Sequence, residues 1–518
     1  MSAPAERPER ALAAAAMLLA AALLSPSLAF RLGQDQGIFA YLGAEWLEGR
    51  WPYLATWDQN LPGMAALHAL VIAALGKSVF AFRLFDFAWQ LANAWLVHRI
   101  SRRLGGRAAA LLAPALFVLI YQGYGPWNTA QREGFAVLFV LAGFQLCLTR
   151  ERRPPALTAA AIGLGFGLAM LVKPTMLALA LFYLPLARRE SWPRRARLLA
   201  IAAAAASAPI AATILAFWAR GGLDELYAAC FAYQRIYVAL SRPEGPLFAA
   251  ALARLAGLGR NAAVLALVYP VFLLLFRSPD RRERWMLYLG YLGSVVAVAV
   301  QGTYAGYHYL PGLALGAILV GTLFQRGAEL ARLGGRSALA LAVLAIAAAT
   351  PLYVRAQNVR DLVSGHFLAP PRADELRNGT VFDFTESWEL ARHLRERTAP
   401  GERIQVWGHE SLVYYLAERD AASRFQVSSP LVVRAPGEPL SPLQRRWRAE
   451  FLAELARRAP SYVTVTTGDD WWWAPGRQTS EQLLDDFPEW KRFVAAGYRL
   501  ETRIGRFLVY RREAPAAG

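Results

Sequence analysis

The chain has 518 residues, 56% of them hydrophobic, with a mean hydropathy of +0.27 and a formal net charge of +18. That is more apolar side chain than a soluble surface tolerates, which excludes a wholly soluble protein. The charge argues against nucleic-acid binding, because the arginines sit in short clusters between apolar runs, as in the cytoplasmic loops of a membrane protein.

Arg7 and Arg10 precede an apolar stretch that resembles a signal peptide. With many apolar runs following, it reads as a retained first membrane helix, near 11–30. The segment 63–76 is apolar but only about 14 residues long, short for a bilayer crossing. Taken as a re-entrant or interfacial helix, it leaves Arg99, Arg102, Arg103 and Arg107 on the cytoplasmic side with the N-terminus. Further spans are expected near 79–99, 108–124, 131–149, 156–171, 175–187, 198–218, 259–276, 285–301, 308–325 and 337–354. With this count every dense arginine cluster falls on one side, among them Arg150/Arg152/Arg153, Arg194/Arg195/Arg197 and Arg281/Arg282/Arg284. The pair 156–171 and 175–187 is short and reads equally as one element bent at Pro174.

After residue 354 the composition becomes mixed and charged. Arg403 to Gly408 reads as a strand ending in a glycine turn, 410–418 as a helix, Ser461 to Val465 as a strand and Tyr498 to Arg511 as a terminal hairpin. The expected fold is therefore a polytopic α-helical membrane protein of about eleven spans plus a re-entrant or interfacial helix, with a small C-terminal α/β soluble domain. The expected domains are a membrane domain over 1–354, with an outer loop at 31–78, and an extracytoplasmic domain over 355–518. Cys147 and Cys230 are the two cysteines, too few for a disulfide framework or a cysteine zinc site.

The unusual polar residues fall mostly at the outer face. Asp35 follows the first helix; it suits either a general base at the membrane boundary or the N-cap of the amphipathic segment 36–48. Trp46, Trp51, Pro52, Tyr53, Trp57, Asp58 and Pro62 make an aromatic loop, which either anchors at headgroup level or stacks on sugar. Arg132 and Glu133 stand side by side at a span's outer end, where they either reach water or face a polar interior. Lys173 is one of three lysines, with Lys77 and Lys491, and lies between apolar runs. It either snorkels or meets an anion. His308-Tyr309-Leu310-Pro311 opens a later span, and a lone histidine there reads as a hydrogen-bonded core residue as readily as a ligand. A base beside several cations suits transfer from an anionic, phosphate-linked donor. No Gly-rich nucleotide-phosphate loop is present.

In this order the motifs resemble the polyprenyl-phosphate-sugar-dependent glycosyltransferases of the C-type membrane fold. That group includes protein O-mannosyltransferases and the aminoarabinose transferases that modify lipid A. The likeness runs through Asp35, Ala44 to Tyr53, Asp58 to Pro62, Arg83, Glu133, Val172-Lys173-Pro174 and His308 to Pro311. It continues in the tail with Val406-Trp407-Gly408, Tyr414 to Ala417 and Ser423-Arg424-Phe425. The resemblance implies Asp35 as catalytic base, Lys173 on the donor phosphate, Glu133 as a second acidic residue near the phosphate or a metal, and inversion at the anomeric carbon. Arg132 and His308 are further candidates for the phosphate, Asp58 for a supporting carboxylate, and Trp51, Tyr53, Trp57 and Tyr309 for sugar or acceptor contact. Gln36 stands where many members have Glu, and Asn60-Leu61 where many have Lys before the loop proline, which weakens the case for a metal at Asp35 and removes one phosphate contact.

The implied partners are a polyprenyl-phosphate-linked sugar donor, a lipid, glycan or protein acceptor and membrane lipids, with no nucleic acid. No cofactor is required, though a divalent metal ion is a candidate. The implied location is the inner (cytoplasmic) membrane, multi-pass, with the C-terminal domain periplasmic or extracellular. Two alternatives remain: a transporter or flippase of a lipid-linked glycan, which calls for polar residues near the bilayer midplane, and a membrane-anchored interaction protein working through its tail.

Overall fold

The computed structural model describes residues 6–149, 153–189, 191–241, 281–301, 305–331, 384–434, 437–469, 471 and 478–513. The spans expected at 259–276 and 337–354 lie outside the described residues, as do Trp472 and Trp473. In chain order the main helices are α1 (Glu6–Leu24), α2 (Gln34–Leu47), α3 (Gly63–Leu75), α4 (Val79–Gln122), α5 (Arg132–Leu148), α6 (Pro155–Val172), α7 (Trp192–Ala219), α8 (Arg281–Gln301) and α9 (Leu310–Ala331). The C-terminal region adds α10 (Phe384–Arg397), α11 (Leu412–Ala417), α12 (Pro442–Arg458) and α13 (Pro488–Gly497). Its strands are β1 (Ile404–Trp407), β2 (Tyr462–Thr466), β3 (Tyr498–Ile504) and β4 (Phe507–Arg512).

Among the described residues, four helical stretches are long and apolar enough to cross a membrane: Arg7–Ala29, Val79–Gln122, Pro155–Val172 and Trp192–Ala219. The chain packs as two compact units. One comprises 1–30, 83–215 and 243–365, the other 31–82, 216–242 and 366–518.

In the helical unit, α4 runs together the stretches expected as two spans. At Gly106 the backbone turns to φ 84°, a conformation favouring glycine, and the helix breaks there. One end of this unit is ionic: Glu9 meets Arg102 at 2.8 Å and Arg107 at 3.1 Å, and Arg103 meets Glu283 at 3.4 Å. The N-terminus and the 102–107 arginines therefore share an end of this unit. Arg83 lies about five helical turns from Arg102, which puts it toward the other end. Arg194, Arg195 and Arg197, expected in a turn, lie inside α7 instead, because Pro193 is tolerated in a first helical turn and nothing after it breaks the helix. Helices α6 and α7 approach through glycine: an added methyl at Gly163 would fall 2.0 Å from the Ala202 carbonyl, and one at Gly167 2.3 Å from that of Ala206. This small-residue spacing lets helix backbones touch where no water drives them together.

In the second unit, a four-stranded sheet of order β1-β2-β4-β3 carries β1 and β2 parallel and the β3–β4 hairpin antiparallel. Strands β1 and β2 are buried along their whole length. Trp407 leads their packing onto Phe451, Phe487 and Trp490. Helices α2 and α3 belong to this unit, packed backbone to backbone where a methyl at Gly43 would lie 2.7 Å from the Ala69 nitrogen. The aromatic loop docks on the C-terminal region: the Gln426 side chain donates to the Trp57 carbonyl at 2.5 Å and accepts from its N–H at 3.0 Å. Arg424 donates to the Tyr53 carbonyl at 2.6 Å, to Glu225 at 2.9 Å and to Glu450 at 2.5 Å.

Replacing Gly163 by leucine forces α6 and α7 apart. We expect a destabilisation of about 1–3 kcal/mol, read as a lowered melting temperature of the detergent-solubilised protein.

Candidate active site

Glu133 and Lys173 meet because two helices stop where they do. Helix α5 begins at Arg132, so Glu133 occupies its first turn, where the helix dipole favours a carboxylate. Helix α6 ends at Val172, because Pro174 cannot continue it; Lys173 takes an extended conformation (φ −152°) and a 3₁₀ helix follows over Pro174–Arg189. The Lys173 ammonium then lies 2.9 Å from Glu133 Oε1, and His308 Nε2 lies 3.8 Å from the same oxygen. The three side chains are buried, at 0% exposed for Glu133, 5% for Lys173 and 4% for His308. Lys173 does not snorkel; it faces an anion. Arg132 is half-buried, and its charge and that of Lys173 both act on His308. Tyr309 is buried beside His308, and Tyr307 meets the imidazole edge-on at 4.7 Å between ring centres.

A polar lattice supports this cluster. The buried Arg83 guanidinium donates to the carbonyls of Phe30 (3.2 Å) and Pro126 (2.9 Å) and to Thr129 Oγ1 (3.0 Å). Tyr121 donates to Asp86 at 2.6 Å and accepts from the Ala130 N–H at 2.6 Å. The Asn93 and Gln90 amides donate to the Gly134 carbonyl at 3.1 and 3.3 Å. The residues immediately before and after Arg132 and Glu133 are thus pinned by side chains of α4.

Glu133 Oε2 and His308 Nδ1 are buried and have no hydrogen-bond partner among the described residues, so the cluster retains bonding capacity for a ligand. A divalent cation does not fit it. Two donors are too few, an ammonium already sits on Glu133, and no group of three metal-ligating side chains occurs among the described residues.

Asp35 lies in the second unit, half-buried in the first turn of α2. It is not the N-cap. That place is taken by Gly33, whose N–H donates to the Gln36 side chain at 2.8 Å. The glutamine that departs from the family pattern is the one that closes the helix end. Gln34 donates to buried Glu410 at 2.5 Å. Asp35 acts electrostatically on buried His409: burial holds the imidazole below the usual histidine range, and the carboxylate pulls the other way.

Asp58 is buried and accepts from the backbone and side-chain nitrogens of Asn60 at 3.2 and 2.8 Å, which shapes the loop. Tyr53 and Trp57 are interior: Tyr53 donates to the Asn60 carbonyl at 2.5 Å, and Trp57 lies edge-on to Tyr233 at 5.0 Å. Trp51 is half-buried under the Arg220 guanidinium, 4.6 Å above the ring. His409 and Glu410 are not among the residues the motifs single out. They directly follow Val406-Trp407-Gly408, and a charged pair beyond a strand's glycine turn is their signal in the sequence.

Breaking the buried pair tests its energetics. Lys173→Met leaves a buried carboxylate uncompensated and should cost about 3–5 kcal/mol, whereas Lys173→Met with Glu133→Leu should be the more stable of the two in a detergent melt.

No family model and no curated protein sequence matches the chain. Solved structures do. ArnT from Cupriavidus metallidurans bound to undecaprenyl phosphate aligns at TM-score 0.60 and 13% identity, covering 98% of each chain. Its apo form aligns at 0.59. The archaeal oligosaccharyltransferase AglB from Archaeoglobus fulgidus, in complex with an inhibitory peptide and a dolichol-phosphate, aligns at 0.51 and 12% identity, over 88% of this chain and 70% of that one. At such identities the likeness is one of fold. The chain has the C-type membrane glycosyltransferase fold, the fold of the group its motifs resemble.

Proposed function

We propose that this chain is an inverting glycosyltransferase that moves a hexosyl or pentosyl unit from a polyprenyl-phosphate carrier to a lipid, glycan or protein acceptor at the outer face of the cytoplasmic membrane. The observation that carries the reading is the buried cluster of Lys173, Glu133 and His308, with half-buried Arg132 next to Glu133. It is cationic and incompletely hydrogen-bonded, in a fold whose solved members include one holding undecaprenyl phosphate and one holding dolichol phosphate. The topology that goes with it has about eleven spans, with the Asp35 loop and the C-terminal region on the non-cytoplasmic side.

On this reading Lys173 pairs with Glu133 and presents its positive charge to the donor phosphate. Glu133 holds the lysine in place. Arg132 and His308 complete the phosphate's surroundings. The acceptor oxygen attacks the anomeric carbon from the face opposite the phosphate, and the bond from that carbon to the phosphate oxygen breaks. The electron pair leaves with polyprenyl phosphate, and the acceptor's proton passes to Asp35. The cations offset charge building on the leaving oxygen, which is the larger part of catalysis in such sites. Trp51 and Tyr309 contact the sugar or acceptor, while Tyr53 and Trp57 shape the loop from beneath. A flippase of a lipid-linked glycan is the less favoured reading, because the solved structures that share the fold include an oligosaccharyltransferase.

The test is transfer by purified full-length protein from a panel of labelled polyprenyl-phosphate sugars to candidate acceptors. Asp35→Asn is expected to lower kcat by about 10²–10⁴-fold, and Lys173→Ala to weaken donor binding. Equal turnover by wild type and Asp35→Asn would remove the base from the account. Unchanged donor affinity in both Lys173→Ala and Arg132→Ala would remove the phosphate pocket.

A further inference from the structure

The turn that carries Asp35 is tied to the C-terminal region at three places within the second unit. Arg31 donates to Thr385 at 3.2 Å and lies over the Trp388 ring at 5.6 Å. Gln34 donates to Glu410 at 2.5 Å. Gly37 packs on α11 so closely that an added methyl would stand 2.6 Å from Leu412 Cβ and 2.8 Å from its Cα. With Gln36 closing the helix end, the side chains on both sides of Asp35 are locked.

Glu410 is the middle of these ties and costs the most to build. It is 1% exposed, and its carboxylate accepts from Gln34, from Ser387 at 3.1 Å and from Arg506 at 2.7 Å. Burial raises its pKa, and the three donors oppose the rise, Arg506 most strongly. Arg506 is itself fixed. It sits in the β3–β4 turn after Gly505 (φ 51°), and its N–H donates to Glu386 at 2.8 Å. A methyl at Gly505 would strike the Glu386 carboxylate, so turn, arginine and both glutamates form one built unit.

A dock that only needed to hold α2 down would be more stable made of apolar side chains, because a buried carboxylate loses several kcal/mol of hydration even when paired. What a buried hydrogen-bonded charge adds is direction. It fixes Gln34, and the next residue in the helix is Asp35.

We propose that Glu410 is a positioning residue for Asp35, acting through Gln34, so that the C-terminal region sets the aim of the base. The inference rests on the proposed role of Asp35. A misplacement of about 1 Å at a reacting group costs on the order of 10²-fold in rate. Loosening the clamp should therefore lower kcat and leave donor binding in place.

The experiment uses the full-length protein and the transfer assay above. Glu410→Ala and Gln34→Ala are each expected to lose about 10–100-fold in kcat, with the donor KM within about 3-fold of wild type. The double variant should be no slower than the slower single. Glu410→Gln keeps an oxygen for Gln34 and should recover part of the rate. Where Glu410→Ala lowers the melting temperature, Gln34→Ala decides, because there Glu410 keeps Ser387 and Arg506. Wild-type kcat in folded Gln34→Ala would overturn the inference, as would losses that multiply in the double variant or a change confined to KM. Failure of the catalytic reading looks different: Asp35→Asn itself then turns over at the wild-type rate. An inactive Asp35→Asn beside an active Gln34→Ala sinks only the clamp.

Discussion

A carboxylate and an ammonium buried 2.9 Å apart are the constraint around which the helical unit is arranged. Either charge alone in an apolar bundle would be costly, and even as a pair they need good geometry to offset lost hydration. The geometry comes from helix ends. Pro174 stops α6 one residue after Val172 and turns Lys173 inward. The α5 N-terminus meets it with Glu133 in the first turn. The α5 N-terminus is in turn held by α4, where Arg83 donates to the Thr129 hydroxyl and the Pro126 carbonyl, Tyr121 accepts from the Ala130 N–H, and Gln90 and Asn93 donate to the Gly134 carbonyl. About five helical turns along α4 from Arg83, Arg102 and Arg103 serve a different purpose, pairing with Glu9 and Glu283. The two stretches of α4 thus hold a polar site and gather basic residues beside the break at Gly106.

The second unit solves the same problem in a more exposed setting. Arg424 gathers Glu225, Glu450 and the Tyr53 carbonyl, joining three stretches distant in sequence: the aromatic loop, the 216–242 segment and the α/β region. Gln426, two residues on, holds both backbone groups of Trp57. Tyr53 sits at φ 67°, a strained conformation for a tyrosine, and Arg424 and Asn60 hold it there. The loop's aromatic residues therefore divide in use. Those that look inward anchor the loop, while Trp51 at the margin carries Arg220 over its ring.

Much of this was legible in the sequence. Apolar length placed α5, α6, α8 and the two halves of α4, and short strand-like runs, the first ending in a glycine turn, placed β1 and β2. Lys173 was singled out by rarity and by its neighbour Pro174, and the structure supplies the anion it called for. What could not be read was pairing at a distance. Gln34 and Glu410 are 376 residues apart, and nothing local in either marks the other. Asp35 as an N-cap was the natural local reading, because aspartate favours that place. Gln36 took the capping role by reaching back to Gly33, which needs a side chain one methylene longer than asparagine. The start of α7 was misplaced for another reason. Three arginines mark a membrane side but do not end a helix, so charge located the boundary of the bilayer and not that of the secondary structure.

The charge balance of the cluster carries the proposed chemistry one step further. Lys173 and Arg132 set against Glu133 leave one formal positive charge beside His308. A sugar linked through a polyprenyl phosphate is a phosphodiester with one negative charge, so the donor neutralises the site it enters. Transfer leaves a phosphate monoester, which carries about 1.5 to 2 negative charges near neutral pH. On the proposed reading the cations stand beside the oxygen on which that extra charge grows in the transition state. Attraction that strengthens as the bond breaks lowers the barrier more than it lowers the bound donor, and this difference is what speeds the chemical step.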